Sequence, residues 1–148
     1  MAIKIKPKSF IKQSTLSTTV TTKESAKEEM VYNGVYLIEN SVTGRKYVGS
    51  SSNVERRIKI HKQHLEKGCH NNRKLQKDHD LHGMESFKFT ILEKDVAHDL
   101  LTAYEKYWIY KHDAIVRFKG YNEKMPTLNH SAFQYVCKLK KEEENKNK

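Results

Sequence analysis

The sequence predicts an α+β domain, a small three-stranded antiparallel sheet flanked by helices in the order ββααβα. Three observations predict it. Two short β-prone runs bracket a turn-rich stretch between residues 34 and 49. Two segments with helix start and stop signals fill residues 52–83. An alternating run then leads into a long stretch of helical periodicity that ends near residue 111.

The hairpin comes first. Gly34-Val35-Tyr36-Leu37-Ile38 and Lys46-Tyr47-Val48-Gly49 flank Asn40, Ser41 and Gly44, residue types that favour turns. A register with Tyr36 opposite Tyr47 sets Glu39 against Gly44 and leaves Asn40 to Thr43 as the loop. That register puts both phenols on one face, and a slip of one residue would separate them.

Ser52-Asn53-Val54-Glu55 has the form of a capping box, so a helix is expected to start there. Val54, Ile58 and Leu65 form its apolar stripe, with Arg57, His61 and His64 along the rim, and Gly68 ends it. Asn72 to Leu81 reads as a second, more polar helix closed by Gly83. Ser86 to Glu93 alternates, with Phe87, Phe89 and Ile91 on one face, and is the third strand. Ala97 to Lys111 is the long helix, its apolar face made by Leu100, Leu101, Tyr104 and Trp108.

The 148 residues divide into a basic arm over 1–31, expected to be disordered, a domain over 32–122, and a helical or disordered basic tail over 123–148. Within the tail, Cys137 to Lys148 reads as solvated, with a helix running from Ser131 through Leu139. Net charge is +10, which draws a small protein to polyanions. The charge is clustered. Residues 42–77 hold ten Lys/Arg and two acids, whereas residues 78–113 hold four Lys and eight acids. A basic face built by the hairpin and the first two helices points to nucleic acid. No run is apolar enough to span a membrane, and no secretory signal stands at the start. Cys69 and Cys137 form no CxxC pair, which fits a reduced, cytoplasmic setting.

Glu105 stands out by position. It lies one turn from Leu101 and Ile109 and beside Trp108, where a carboxylate needs a cation, a metal or a salt bridge. Arg57 has the donor geometry to grip a phosphate bidentately. The histidine pairs His61/His64 and His79/His82 have tempting spacings, but no neighbouring cysteine pair completes a structural zinc set. A general base, a phosphate-binding cation and a metal carboxylate are what phosphodiester hydrolysis needs. The same residues also admit a non-catalytic basic DNA-binding or repressor module.

Gly34-Val35-Tyr36, followed by Tyr47-Val48-Gly49, resembles the signature of the GIY-YIG nucleases. The resemblance extends to Gly49-Ser50-Ser51, Arg57, His61, Glu105 before Trp108, and Gly120-Tyr121-Asn122, and it covers residues 32–122. The stretch from Glu66 to His70, with Lys74-Leu75-Gln76, His82-Gly83 and Ile91-Leu92-Glu93, is similar to the phage and intron homing-endonuclease branch. The resemblance implies a metal-dependent DNA endonuclease of homing or freestanding mobile-element type. Its implied cofactor is one divalent ion, Mg²⁺ or Mn²⁺, with no small-molecule cofactor, and its implied partner is double-stranded DNA. It implies Tyr36, Tyr47, Arg57, His61 and Glu105 as catalytic groups, Glu105 being the metal ligand. Gly49, Ser50, His70, Lys74 and Asn122 are implied as substrate-binding or supporting residues. Val35 and Val48 replace the motif's isoleucines. Homing enzymes of this kind carry a linker and a separate DNA-binding domain after the nuclease, whereas 26 residues follow Asn122 here.

Overall fold

In the computed structural model, residues 30–115 and 119–148 are described. The chain divides into two units, Met1–Met30 and Val31–Lys148. The arm expected over 1–31 lies outside the described residues except for Met30 and Val31.

The expected elements form in the expected order. Strands β1 (Gly34–Asn40), β2 (Lys46–Ser51) and β3 (Phe87–Lys94) pair antiparallel in the order β2-β1-β3. Helices α1 (Val54–Lys67) and α2 (Arg73–His82) stand between β2 and β3, and α3 (Leu101–Lys111) follows β3. A last helix, α4 (His130–Lys146), spans most of the expected tail. Short 3₁₀ turns at Met84–Ser86 and His98–Leu100 lead into β3 and α3.

The central strand explains the layering. β1 carries apolar residues at consecutive positions because both of its faces are covered. Tyr36 and Ile38 face a core made with Val54, Leu65, Leu75, Phe87 and Tyr121. Val35 and Leu37 face a second core with Val48, Val96, Leu101 and Ile109. Thus α1 and α2 cover one face, and α3 covers the other.

Four local expectations are corrected. The hairpin register is shifted by two: Tyr36 pairs with Gly49 and Tyr47 with Ile38, so the β1–β2 connection is Ser41 to Arg45. The longer loop is closed by Asn40, whose side chain accepts from the amides of Val42 and Thr43. An even shift preserves the face, so both phenols still point the same way. The cap of α1 is Asn53 rather than Ser52, its side chain accepting the Arg56 amide at 3.0 Å. An Asn cap satisfies that amide as a serine would, and the helix opens one residue later. His61 belongs to the buried stripe of α1, not its rim. The α-helix near residue 100 begins at Leu101, because the His98–Leu100 turn is 3₁₀.

α4 is more than a solvated extension. Val136 is fully buried, and Lys140 ion-pairs with Glu93 of β3, which also accepts from the Trp108 indole at 2.9 Å. Lys111 of α3 meets Glu144 at 2.7 Å. The remainder of the helix is mostly exposed and rich in Lys and Glu, so the solvated reading of 137–148 was drawn from its dominant composition.

A second buried polar network ties the hairpin loop to α2. The Tyr121 hydroxyl donates to Asp78 at 2.8 Å and accepts from Asn40 at 3.1 Å, and Arg45 meets the same carboxylate at 3.2 Å. Arg45 is therefore committed to the fold rather than to a free basic face.

If Val136 secures α4, Val136→Ala should lower unfolding free energy by about 2 kcal/mol through the cavity it leaves. Urea denaturation checks this, and an unchanged midpoint would return the segment to the status of a solvated tail.

Candidate active site

Successive side chains of a strand point to opposite faces. On β2 this sends Tyr47 and Gly49 toward α1, and Val48 and Ser50 toward α3. β2 is also an edge strand. Groups from both layers therefore meet around its outer side, in a cleft of about 420 Å³ lined in part by Tyr47, Arg57, His61, His70, Glu105 and Asn122.

From the α1 side come the phenols and the histidines. Tyr36 is almost fully buried, and its hydroxyl lies 2.7 Å from His61 Nε2. The Tyr36 and Tyr47 ring centroids are 6.4 Å apart, and His61 stands 5.4 Å and 5.5 Å from the two rings. His61 Nδ1 lies 2.7 Å from His70 Nε2, the two rings being stacked. His70 is held in turn. Its Nδ1 accepts the Asn72 amide at 3.0 Å, and its own amide donates to Gln76 Oε1 at 3.0 Å.

Gly49 makes this packing possible. A Cβ there would sit 2.4 Å from the Tyr36 hydroxyl and 2.6 Å from Cζ, atoms of a ring with nowhere to go. Its role in the structure is to admit the phenol.

From the α3 side comes Glu105, whose carboxylate accepts the Ser50 hydroxyl at 2.5 Å. Burial raises its pKa, and the Ser50 hydrogen bond opposes that rise. No cation in the described ion pairs neutralises it, so the alternative of a core salt bridge is not what the described side chains form. A half-buried carboxylate opening on a cleft is a fitting single protein ligand for a hard divalent ion, which fills its other positions with water and phosphate oxygens. Among the described residues, no group of three His, Cys, Asp or Glu converges to hold a metal unaided.

The electrostatics follow from burial. It raises both phenol pKa values, Tyr36 very strongly, with Tyr47 adding to the rise; Arg57 opposes the rise at each phenol, while Glu105 adds to it at Tyr47. Burial lowers His61 to about 3, and the nearby His70 imidazole and Arg57 guanidinium further disfavour a positive charge there. Burial also lowers His70, with the Asn72 backbone opposing. Both imidazoles are therefore neutral at pH 7. Arg57 itself is exposed on the cleft, where a guanidinium can meet a phosphate without prior desolvation.

The structure thus gathers Tyr36, Tyr47, Gly49, Ser50, Arg57, His61, His70, Glu105 and Asn122 around one edge. Lys74 stands apart, exposed on α2 and outside the cleft lining. Asn122 uses its side-chain amide on β2, accepting from the Val48 amide and donating to the Val48 carbonyl, each at 2.8 Å. In the sequence neither Asn72 nor Gln76 has a place in the site: Asn72 reads there as the start of the second helix and Gln76 as part of the family resemblance, and nothing local says that the Asn72 amide faces His70.

Residues 32–122 match the GIY-YIG catalytic domain family. Over 90 residues the chain is 39% identical to intron-associated endonuclease 1 of Enterobacteria phage T4, covering 60% of this chain and 36% of that relative. The chain therefore spans about a third of the relative's length. Among solved structures, the catalytic domain of the homing endonuclease I-TevI aligns with a TM-score of 0.56 at 36% identity, covering 62% of this chain and 98% of that one. A mutant of the catalytic domain of intron endonuclease I-TevI aligns with a TM-score of 0.58 at 35% identity, covering 66% and 99%.

Two outcomes follow from the packing. Gly49→Ala should displace the phenol pair and cost about 2 kcal/mol by overpacking, read by denaturation; wild-type stability would mean the rings have room to move. His61 binds its proton more weakly folded, near 3, than unfolded, near 6.5. The unfolded state therefore takes the proton first, and this contribution to stability falls as pH drops from about 6.5 toward 3. Thermal midpoints across that range should flatten in His61→Gln, and parallel curves for the two proteins would refute the assignment.

Proposed function

We propose that this chain, which belongs to the GIY-YIG catalytic domain family, is a DNA endonuclease that hydrolyses phosphodiester bonds at the edge of β2. The observation that carries the reading is the meeting of Arg57, Tyr47 and Glu105 on one cleft, with Tyr36 buried directly behind Tyr47 and His61. A binding module needs the positive charge but has no use for a desolvated carboxylate aimed at it.

Each residue has a distinct task in this reading. Arg57 binds the scissile phosphate and neutralises charge as it builds in the transition state. The phenols hold and orient the attacking water, and one of them, once its own proton has passed to solvent, accepts the water's proton. Water then forms the new P–O bond as the bond to the leaving nucleotide oxygen breaks. Glu105 would hold one divalent ion, Mg²⁺ or Mn²⁺, with Ser50 fixing the carboxylate's direction. When bound, that ion supplies Lewis-acid stabilisation of the phosphoryl oxygens.

The substrate in this reading is double-stranded DNA. Arg57 and Lys124 stand on the cleft, and the first helix adds the exposed cations Arg56 and Lys67. A homing-type or freestanding mobile-element role is the reading that the phage relative supports.

The test is incubation of supercoiled plasmid with purified protein. Cutting with Mg²⁺ or Mn²⁺ and none in excess EDTA is expected. Glu105→Gln should lower the cleavage rate by about a hundredfold or more, with folding kept and DNA binding kept or tightened. A variant that cuts at the wild-type rate removes Glu105 from the site. A wild-type protein that binds DNA and never cuts makes the non-catalytic module the better account.

A further inference from the structure

The line of hydrogen bonds behind the cleft has a direction, and its far end fixes it. A backbone amide can only donate. The Asn72 N–H is aimed at His70 Nδ1 at 3.0 Å, so that nitrogen is the acceptor and carries no proton. A neutral imidazole has one N–H, so the His70 proton sits on Nε2 and is donated to His61 Nδ1, 2.7 Å away. His61 Nδ1 is then an acceptor as well, and its proton sits on Nε2, facing the Tyr36 hydroxyl at 2.7 Å.

We propose that His61 and His70 form a one-way line of donors from the Asn72 amide to the Tyr36 oxygen, so that His61 holds the Tyr36 phenol by donating to it and cannot serve as its base. This rests on the nuclease reading of the cleft. A proton leaving Tyr36 has no empty site on His61 to enter. Moving it down the line would need His70 Nδ1 to accept it, and that nitrogen is filled by the Asn72 amide. The hydrogen of Tyr36 is therefore turned away from the histidines. Any negative charge that develops on its oxygen meets an N–H donor already in place.

Two further observations support the line. The lowered pKa values of both histidines keep each with a single proton, as the direction requires. His70 is also fixed through its own amide to Gln76, whose Nε2 donates to Leu65 of α1 and Asp80 of α2, so the ring is anchored across two helices. One effect runs the other way, because the Asn72 backbone favours protonation of His70. The direction of the Asn72 N–H, aimed at Nδ1 at 3.0 Å, decides between the two. The reversed line would put both protons on Nδ1, and that difference is measurable.

On this view His61, His70 and Gln76 are positioning residues that act through Tyr36. The first measurement is long-range ¹H–¹⁵N correlation spectroscopy of the full chain at neutral pH. Both histidines are expected as the Nε2–H tautomer, and Nδ1–H on either one overturns the proposal. The second compares plasmid cleavage by His61→Gln and His61→Glu, with thermal midpoints recorded on the same preparations. Gln can still donate to Tyr36, whereas an ionised Glu can only accept. Gln should cut about tenfold faster or more, in line with a hydrogen bond to a charged group. A Glu variant that equals or exceeds Gln would mean that position 61 works as a base. If neither variant folds, the tautomers of the wild-type chain decide alone. Wild-type protein that fails to cut with Mg²⁺ would overturn the nuclease reading, and the tautomers would still report the direction of the line.

Discussion

An edge strand shows its odd residues to one layer and its even residues to the other, and β2 uses both. Tyr47 and Gly49 belong to the layer of α1, and Ser50 to the layer of α3. No single helix or loop holds the cleft together. Its chemistry is divided between two cores on opposite faces of the sheet, so the geometry between Arg57 and Glu105 is set by how far α1 and α3 stand from the sheet. That distance is fixed in turn by the small residue at position 49 and the large ones packed behind it.

The cleft is also drier than a surface site on a basic protein would suggest. Tyr36 and His61 are buried groups whose hydrogen bonds are made with each other and with His70. Such a network is tolerated because the described links are satisfied, and a half-satisfied version would be worse than an apolar core. Burial keeps the imidazoles neutral and favours the protonated phenols. Positive charge is left to Arg57, which stands in solvent. The division separates a neutral, rigid interior from a charged, accessible front.

Much of this was legible in the residues. The three strands and three helices of residues 34–111 were readable because turn residues, caps and apolar periodicity agree with one another there. Glu105 was identifiable because a carboxylate on an apolar helix face needs a reason. The register was misread because pairing the two phenols directly ignores the length of the Ser41–Arg45 loop, which Asn40 closes from its own side chain. His61 was placed on the rim because periodicity ranks residues by hydropathy, and a buried histidine satisfied by Tyr36 and His70 looks like a surface one. The packing of α4 rests on Val136 and Lys140 within a segment of mostly Lys, Glu and Asn, where composition outvotes two residues. The Asn72 amide could not have been found, since its partner depends on the fold of the loop before α2.

Asn122 has a consequence beyond the cleft. The outer side of an edge strand is a row of unpaired amides and carbonyls, and it invites a strand from another molecule to add on. Asn122 fills the Val48 position with a side-chain amide that copies the donor and acceptor of a neighbouring strand, and Tyr121 takes the Lys46 carbonyl at 2.8 Å. A real strand would continue the ladder, whereas these residues cover only Lys46 and Val48. The device that finishes the sheet thus also blocks the addition of a further strand along the edge that borders the cleft.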